Sequence, residues 1–403
     1  MVLVDKFLER MKFVKIKDIL SIGLFFIALP IGLMLKRYRP HIWLICEEKQ
    51  EARDNGYYFF RYLREEHLEV DAVYAIDSKS PDANKVISLG NTISYGTLMH
   101  WIYYIAAEYN ISSQKGGKPN AAICFFLEVS GIWKNKRIFL QHGVTINNVE
   151  WLYYDVSKID RFICSTKQEY EYIKKNFGYP NENLVLTGFA RWDDLHKCKT
   201  IKNRILIMPT WREWLGRISS DTKRIETGDS FVDTTYYKKW NAFLNEYDLK
   251  KIIEDYNLEV LFFPHRNMQK YIQHFSVDDR YIKIASWKDY DVHELLKTSE
   301  MIITDYSSVF FDMVYMKKPV IFYQFDINEF REYHYKNGYF DYENNPFGKS
   351  FTDSNGVIEE LRVMIVNDYK MGHDYELAHK NIFTYYDNKN NERIYKVIKK
   401  FSD

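Results

Sequence analysis

The chain has 403 residues, a formal net charge of +1 at pH 7, 17% aromatic residues, 17 glycines and 9 prolines. This length is sufficient for two domains, and a composition rich in aromatic residues but poor in glycine and proline is typical of packed globular proteins, not of disordered chains. The near-neutral charge argues against a general nucleic-acid-binding protein, which would carry a basic face. The 4 cysteines contain no C-x-x-C pair, so they indicate neither a zinc site nor a disulfide framework.

Residues 1 to 40 differ from the rest of the chain in charge and hydropathy. They contain eight basic and three acidic residues, a net charge of +5, and residues 19 to 35 form an uncharged, mainly apolar stretch. As a straight helix this stretch would be about 25 Å long, shorter than the hydrocarbon core of a bilayer at about 30 Å. We therefore expect residues 1 to 40 to associate with a membrane as an embedded helix or as a hairpin bent near Pro30, while a single span and an ordinary core helix are the alternatives. The rest of the fold is expected to stay whole without this segment.

Apolar runs from residue 41 onward predict an alternation of strands and helices. Two such series, joined near residues 192 to 203, predict two α/β domains over residues 41 to 195 and 196 to 403, and the terminal helix could pack back on the first of them. Residues 215 to 233 are polar and lack periodicity, so we expect a mobile loop there. The predicted strands cover residues 41 to 46, 72 to 76, 138 to 140, 161 to 164, 204 to 208, 258 to 263, 301 to 304 and 319 to 325. The predicted helices cover residues 56 to 66 (capped by Asp54 and Asn55), 167 to 177, 236 to 247, 251 to 256 and 291 to 297.

The stretch from residue 300 to 326 has the pattern of a phosphate site. An apolar strand ends at Thr304, Ser307 and Ser308 follow where a helix would start, and a second apolar run begins at Pro319. This order predicts a parallel βαβ unit whose turn lies at the carboxyl edge of the sheet, where backbone N–H groups and hydroxyls can bind phosphate. The alternative is that Ser307 only caps the helix.

Several segments between about residues 41 and 350 match one known family in the same order. They are WLICEEKQEARDNGYYFF at 43 to 60, QHG at 141 to 143, TGFAR at 187 to 191, PTWR at 209 to 212, PHR at 264 to 266, TDYSS at 304 to 308, FDM at 311 to 313 and NGYFD at 337 to 341. In these residues the chain resembles the CDP-glycerol glycerophosphotransferases that build teichoic acids and related capsule polymers.

The resemblance implies an α/β, GT-B-like fold, in which two Rossmann-like domains face each other across a cleft. It also implies transfer of glycerol phosphate, or a related polyol phosphate, from a CDP-polyol donor to a hydroxyl of a lipid-linked glycan or polyol-phosphate acceptor, with release of CMP. Such an enzyme would lie at the cytoplasmic face of the bacterial cell membrane. Two alternatives are a GT-B glycosyltransferase that uses a nucleotide sugar and a non-catalytic membrane scaffold.

Two histidines are the catalytic candidates. His142 follows an apolar run and precedes Gly143, and His265 follows another apolar run. Imidazole titrates near neutral pH, so His142 could take the proton of an attacking hydroxyl, although a lone histidine at a strand end is often structural. The resemblance favours catalysis, because the matching histidine is the proposed base of the family, and Gly143 would support it.

The donor phosphates require cationic and hydrogen-bonding groups. Arg212, His265 and Arg266 follow predicted strands of the second domain, and arginine can donate to two phosphate oxygens at once. For Arg212 the alternative is a surface ion pair with Glu213 or a nearby aspartate. The resemblance adds several residues of the TDYSS segment to the phosphate site, with Asp312 behind it: Thr304, Asp305, Ser307 and Ser308.

A metal site is not indicated by the sequence. Asp289 and Asp291 have the D-x-D spacing that can hold Mg²⁺, but Asp291 directly precedes a predicted helix, where aspartate is a common cap. We therefore predict that Asp291 is a cap and that no cofactor is required. The sequence contains neither G-x-G-x-x-G nor a Walker A motif, so dinucleotide binding and ATP hydrolysis are not favoured.

Overall fold

The computed structural model describes residues 16–196, 198–216 and 231–402. The chain divides into two compact units. The first contains the described residues up to His142, residues 150–193 and the residues from Asp387 onward, and the second contains residues 143–149 and 194–386. The chain passes from the first unit to the second after His142 and after Asp193, and it returns after Val149 and after Tyr386. The short segment 143–149, which belongs to the second unit, was not anticipated.

Each unit is built around a sheet whose described strands all run parallel. The first sheet contains β1 (Trp43–Ile45), β2 (Ala72–Ile76), β3 (Thr92–Ser94), β4 (Tyr109–Ser112), β5 (Lys136–Phe139), β6 (Arg161–Cys164) and β7 (Leu184–Leu186). The second contains β8 (Arg204–Ile207), β9 (Glu259–Phe262), β10 (Ile282–Ile284), β11 (Met301–Thr304), β12 (Val320–Tyr323) and β13 (Gly348–Phe351).

Each sheet contains one reversal in its strand order. The first has the order β3-β2-β1-β4-β5-β6-β7 and the second β10-β9-β8-β11-β12-β13. The direction of winding therefore reverses between β1 and β4 and again between β8 and β11. Open parallel sheets bind ligands outside the carboxyl ends of their strands at such reversals. A binding site is therefore expected in the segments that follow these four strands.

Helices cover the sheets. The first described helix is α1 (Ile16–Tyr38), followed in the first unit by α2 (Asn55–Glu66), α3 (Ala83–Ile87), α4 (Leu98–Ala106), α5 (Ala121–Val129), α6 (Tyr154–Ser157), α7 (Lys167–Asn176) and, at the passage between the units, α8 (Trp192–Leu195). The helices that follow are α9 (Glu213–Gly216), α10 (Thr235–Asn245), α11 (Tyr247–Asp255), α12 (Val292–Thr298), α13 (Phe310–Tyr315), α14 (Ile327–Tyr333), α15 (Ser354–Val366), α16 (His373–Ile382) and α17 (Asn390–Ser402). Four 3₁₀ segments cover Glu150–Leu152, Asn181–Asn183, Phe231–Asp233 and Arg266–His274.

The core of the first unit lies on both faces of its sheet. On one face α2 and the last helix, α17, pack together, and Ile394 and Ile398 of α17 join Trp43 and Tyr109 in the core. On the other face, Leu44 and Val73 contact α4 and α5 side chains. Central strands such as β2 are therefore buried along their whole length, which explains their continuous apolar sequences.

The N-terminal helix is part of this core. Helix α1 continues through Pro30, so the hairpin form of our prediction is wrong. Its inner face packs on α4, with the Phe25 ring 5.8 Å from the Trp101 ring, and a Cβ on Gly32 would lie 2.7 Å from Ile105 Cβ. Phe25 and Ala28 of α1 thus belong to the buried core, and removing residues 1 to 38 would expose the face of α4 on which α1 packs. The expectation that the fold stays whole without these residues stays a prediction.

Two sequence predictions concern residues outside the described ranges. Most of the loop expected at residues 215 to 233 falls on residues 217–230, and the first basic cluster of the N-terminal segment falls largely on residues 1–15.

Candidate active-site residues

His142 is held at the carboxyl edge of the first sheet by the residue before it. Gln141 has a φ of 61°, in the left-handed region that non-glycine residues rarely adopt. Its side chain is buried and donates to the Ile163 carbonyl at 2.6 Å, and its own carbonyl accepts from Asn55 Nδ2 at 2.7 Å. These bonds fix a sharp turn after β5, so the direction of the His142 side chain is set by neighbouring strands and by the start of α2.

The partner of His142 is Asp54, which the sequence identified only as a helix cap. Asp54 does cap α2, and its Oδ1 accepts from the Asn55 N–H at 2.7 Å. Its other oxygen, Oδ2, lies 2.6 Å from His142 Nδ1. The Asp54 side chain is 9% exposed and the His142 side chain 62% exposed. A buried carboxylate therefore orients an exposed imidazole, whose second nitrogen, Nε2, remains to meet a substrate.

Arg191 completes this arrangement. Its Nη1 donates to Asp54 Oδ1 at 2.8 Å and to the His142 carbonyl at 3.0 Å. Burial by itself would raise the pKa of Asp54, but His142, Arg191 and the Asn55 N–H outweigh it and hold that pKa below its ordinary value. Asp54 is thus an anion beside the imidazole at neutral pH. Arg191 lies in the TGFAR segment, yet sequence reasoning gave it no role.

A second buried carboxyl group lies behind Asp54. Glu47 follows β1 and accepts from the backbone N–H groups of Arg53 at 3.0 Å and Tyr57 at 2.7 Å. A Cβ on Gly56 would lie 2.9 Å from Glu47 Oε1, so glycine is needed for this close approach. Burial and the charge of Asp54 raise the pKa of Glu47 to about 8. Glu47 is therefore mainly protonated at neutral pH, and the negative charge of the pair resides on Asp54.

In the second unit, the TDYSS turn follows β11 at the reversal of the sheet. Asp305 is fully buried and accepts from the backbone N–H groups of Thr210 at 2.8 Å and Tyr306 at 2.6 Å. The Thr304 hydroxyl is also buried and donates to the Met208 carbonyl at 2.7 Å. The predicted contact between Thr304 and a phosphate therefore does not fit this structure, whereas the predicted orienting role of Asp305 agrees with its bonds.

Ser307 and Ser308 are the partly exposed residues of this turn. Helix α13 begins only at Phe310, and its N-cap position, Val309, makes no side-chain cap bond. The prediction that a helix starts at the two serines is therefore wrong by two residues, although Ser307 Oγ accepts from the Val309 N–H at 3.3 Å. A Cβ on Gly143 would lie 2.5 Å from Ser308 Oγ, so this glycine leaves room for the second serine. Asp312 is buried within α13, behind the turn.

Arg212 has a different role from the one predicted. Its side chain is fully buried and forked on Asp326, with Nε at 2.8 Å and Nη2 at 2.9 Å from the two carboxylate oxygens, and Nη2 also lies 2.9 Å from Asp305 Oδ2. Burial would lower the pKa of Arg212, but the two carboxylates outweigh it and raise that pKa. Direct contact of Arg212 with a donor phosphate does not fit this environment. The alternative, a surface ion pair with Glu213 or a nearby aspartate, does not fit either, because Arg212 is buried and its aspartate partners lie far away in the chain.

His265 and Arg266 are partly exposed at the end of β9. His265 Nδ1 accepts from the Asn267 N–H at 3.2 Å, and its backbone N–H donates to the Pro209 carbonyl at 3.1 Å. The Trp211 ring lies between the rings of His265, at 6.2 Å, and His334, at 4.6 Å. Burial, followed by the charges of Arg212 and His265, lowers the pKa of His334 to about 3. His334 is therefore neutral. Of these two histidines, His265 is the candidate for contact with a ligand.

Asp291, the second carboxylate of the D-x-D pair, caps a helix. Asp291 Oδ1 accepts from the His293 N–H at 2.9 Å and the Glu294 N–H at 3.4 Å, so the predicted cap of α12 is confirmed. Over residues 16–196, 198–216 and 231–402, no group of three or more His, Cys, Asp or Glu side chains is arranged to hold a metal ion.

A family model described as CDP-Glycerol:Poly(glycerophosphate) glycerophosphotransferase matches residues 29–400. The chain belongs to this family. The match covers both units and all the site residues above, so the family predicted from the short motifs is confirmed.

Curated relatives are proteins of teichoic acid synthesis. The minor teichoic acid biosynthesis protein GgaB of Bacillus subtilis is 31% identical over 364 residues, which cover 89% of this chain and 40% of that protein. A teichoic acid poly(glycerol phosphate) polymerase of Bacillus spizizenii is 29% identical over 245 residues, which cover 58% of this chain and 55% of that protein. The matched region thus spans about half or less of the length of these relatives.

Solved structures support the fold class. The wall teichoic acid polymerase TagF gives a TM-score of 0.63 at 17% identity, with 99% of this chain and 98% of that chain covered. The UDP-GlcNAc 2-epimerase of Methanocaldococcus jannaschii gives 0.53 at 12% identity, with 89% of this chain and 99% of that chain covered. The predicted α/β, GT-B-like class is therefore confirmed.

Proposed function

We propose that this protein transfers glycerol phosphate, or a related polyol phosphate, from a CDP-linked donor to a hydroxyl group of an acceptor in teichoic acid or capsular polymer synthesis. The observation that carries the proposal is the Asp54–His142 pair, in which an exposed imidazole rests on a buried, ionised carboxylate. This arrangement suits general-base catalysis by His142. Membership of the family supplies the donor and the reaction type.

His142 would act on the acceptor. As the acceptor oxygen forms its bond to the donor phosphorus, its proton moves to His142 Nε2, and the bond between that phosphorus and the bridging oxygen breaks. CMP leaves with the bonding electron pair. Asp54 holds the imidazole through Nδ1 and stabilises the imidazolium that forms, while Arg191 keeps Asp54 in place.

The second unit would bind the donor. Ser307, Ser308, His265 and Arg266 present hydroxyl, imidazole and guanidinium groups that can donate to pyrophosphate oxygens. Such contacts offset the charge that develops on the leaving group, which is the principal contribution of protein groups in phosphoryl transfer. Arg212 contributes indirectly, because it fixes Asp305 and thereby the turn that carries the serines.

A donor panel tests this function. Purified protein is incubated with a water-soluble acceptor and CDP-glycerol, CDP-ribitol or UDP-sugars, and the release of CMP or UDP is measured. We expect CMP release with a CDP-polyol. His142→Ala should reduce turnover by about 10² or more and leave CDP affinity nearly unchanged. Turnover of UDP-sugars alone would instead support a nucleotide-sugar glycosyltransferase, and no turnover of any donor would support a scaffold.

The location proposed for the enzyme follows from α1. Enzymes of teichoic acid biosynthesis act at the cell membrane. Residues Leu20–Tyr38 form a helix that is long and apolar enough to cross a membrane, and only 17% of this apolar stretch is buried in the protein. The inner face of α1 is committed to α4, so a span would have to break that packing. We infer that α1 lies in the membrane interface at the cytoplasmic face, with its outer face toward lipid. That face is apolar: Leu20, Phe26, Ile27, Leu33 and Met34 are exposed.

A further inference from the structure

The first unit contains a pocket that the proposed chemistry has not used. It has a cavity volume of about 60 Å³ and lies against β4 and β5, close to α5 and the 3₁₀ segment Glu150–Leu152. This volume admits a small polar group, such as one phosphate of a longer ligand. Aromatic and aliphatic side chains form much of its wall: Phe125, Ile138, Phe139, Trp151 and Ile159.

The charged side chains that line the pocket are all cations, namely Lys115, Lys118 and Arg137. Two of them share one buried carboxylate, since Lys118 Nζ and Arg137 Nη1 both bond Glu128 Oε2, the latter at 2.7 Å. No carboxylate among the described residues forms an ion pair with Lys115, whose Nζ lies 5.3 Å from the centre of the Trp151 ring. The lining therefore carries a surplus of positive charge, with an ammonium group available to an anion.

The buried amide of Asn110 also points to a ligand. Asn110 lines the pocket and is 9% exposed, and its Nδ2 has no hydrogen-bond partner in the part of the chain that the structure describes. A buried amide without a partner is unfavourable, because the hydrogen bonds that it makes to water in the unfolded chain are not replaced. A phosphate oxygen in the pocket would accept from this amide and remove that cost.

The pocket is linked to the proposed base by Gln114. This residue lines the pocket, and its Nε2 donates to Asp54 Oδ2 at 3.1 Å and lies 2.6 Å from His142 Nδ1. The loop that carries Gln114 and Lys115 is tightly fixed, because a Cβ on Gly117 would lie 2.3 Å from the Cys46 carbonyl oxygen. A ligand that contacts Lys115 is therefore bound next to Gln114, whose side chain contacts the proposed base, His142.

We propose that this pocket binds the acceptor, which enters as a phosphate-bearing chain. A phosphate group of the acceptor contacts the Lys115 ammonium and the Asn110 amide, the carbon skeleton of its polyol packs on Trp151, and the terminal hydroxyl extends toward His142. This inference rests on the proposed function, because only a transferase of this kind needs an acceptor at the base. It adds that the acceptor is recognised through a negative charge and not only through its hydroxyls.

Direct binding tests the pocket independently of turnover. The probe is a synthetic, water-soluble trimer of glycerol phosphate, titrated into the full-length protein by calorimetry, with triglycerol as its uncharged counterpart. Lys115→Met keeps the aliphatic stem over Trp151 but removes the charge, and we expect it to weaken trimer binding about tenfold or more. The matched control is Lys174→Met, because Lys174 also lies over an aromatic ring, that of Tyr170 at 5.7 Å, but away from the pocket. This control should bind the trimer as the wild type does.

A second variant removes the amide. Asn110→Leu should leave the protein folded, since it replaces a buried polar group without a partner by an apolar one, and it should also weaken trimer binding. The inference is wrong if Lys115→Met and Asn110→Leu bind the trimer normally, if triglycerol binds as tightly as the trimer, or if the wild type does not bind the trimer at millimolar concentration. Trimer binding lost in Lys115→Met but no CMP release from any donor would retain the pocket and reject the proposed function. CMP release with an unchanged acceptor KM in Lys115→Met would retain the proposed function and reject the pocket as the acceptor site.

Discussion

At the scale of single residues, the proposed base could be predicted from sequence but its partner could not. His142 stands out because it ends an apolar run and lies in a family motif. Asp54 is 88 residues away in the chain and satisfies every requirement of a helix cap, so nothing local distinguishes it. The pairing becomes visible only when the strand order brings the start of α2 next to the end of β5.

Asp54→Asn should separate the cap from the catalytic role. Asparagine caps helices as well as aspartate does, so the helix should persist, but the amide cannot stabilise an imidazolium. We expect kcat to fall by about 10² or more while the donor KM changes less than about threefold. Asp353→Asn, which alters the cap of α15, is the matched control and should leave both constants unchanged. An equal loss in the two variants would mean that Asp54 acts only through stability.

For Arg212, the sequence predicted the position of the residue but not the direction of its side chain. The PTWR motif predicted a functional position after β8, but the sequence does not say whether the side chain points outward to a phosphate or inward to a carboxylate. The structure shows that it points inward. The reason lies in Asp305 and Asp326, two buried carboxylates from distant parts of the chain that need a cation.

Arg212→Leu should therefore destabilise the protein. Removing the guanidinium leaves the Asp305 and Asp326 carboxylates buried without it, which typically costs about 3 to 5 kcal/mol. Urea titration measures the free energy of unfolding, with Arg266→Leu as the control, because Arg266 is partly exposed over the Trp287 ring and should cost about 1 kcal/mol or less. If Arg212→Leu is as stable as the control and only weakens CDP binding, Arg212 binds phosphate directly after all.

At the scale of elements, long apolar runs were located well and short mixed ones were missed. Strands β2, β6 and β11 match their predicted bounds, because each is a run of apolar residues with a clear end. Strands β3, β4 and β13 contain only three or four residues with hydroxyl, amide or lysine side chains among them, so no periodic pattern reveals them. Missing β4 also hid the loop Gln114–Lys118, whose Gly-Gly pair between two lysines directly follows it.

The exposed apolar face of helix α1 allows the proposed membrane association to be tested. Ile27 and Met34, 57% and 58% exposed, lie on its outer face and can be changed without touching the core. The double variant Ile27→Gln with Met34→Gln should bind vesicles of phosphatidylglycerol about tenfold less, since two apolar side chains no longer enter the interface. Cosedimentation measures this binding.

The control for this test changes equally exposed apolar residues elsewhere. Leu68→Gln with Ile132→Gln fits, because these side chains are 67% and 60% exposed. The control should bind vesicles as the wild type does. Undiminished binding of the α1 variant, or an equal loss in the control, would show that another surface meets the membrane.

At the scale of the whole molecule, the fold class followed from two series of strands and helices, but the assignment of segments to units did not. Residues 143–149 belong to the second unit although they follow His142 directly. The reason is long-range: Asn147 Oδ1 accepts from Arg331 Nη1 at 2.7 Å, and a Cβ on Gly338 would lie 1.9 Å from the Ile146 carbonyl oxygen. Such contacts between segments almost 200 residues apart have no local sequence pattern.

Stability against acid is a property to which both units contribute. Burial lowers the pKa of His100 in the first unit to about 3, and His100 Nδ1 accepts from the Gly96 N–H at 3.1 Å while its Nε2 is buried without a partner among the described residues. His334 in the second unit is likewise lowered to about 3. Both rings are neutral in the folded protein and take up a proton on unfolding below about pH 6.5. The unfolded chain thus binds more protons, so the free energy of unfolding should fall as the pH drops from 6.5 toward 3.

The variant His100→Asn should reduce this dependence on pH. Asparagine can place its Oδ1 where Nδ1 accepts from the Gly96 N–H, but it does not titrate. The free energy of unfolding of the variant should therefore fall by about 2 kcal/mol less than that of the wild type between pH 7 and pH 5. Urea titrations at the two pH values measure this change, and His373→Asn, which alters an exposed histidine at the start of α16, should keep the wild-type dependence. If His100→Asn loses as much stability as the wild type over this range, His100 is not among the groups that acid protonates on unfolding.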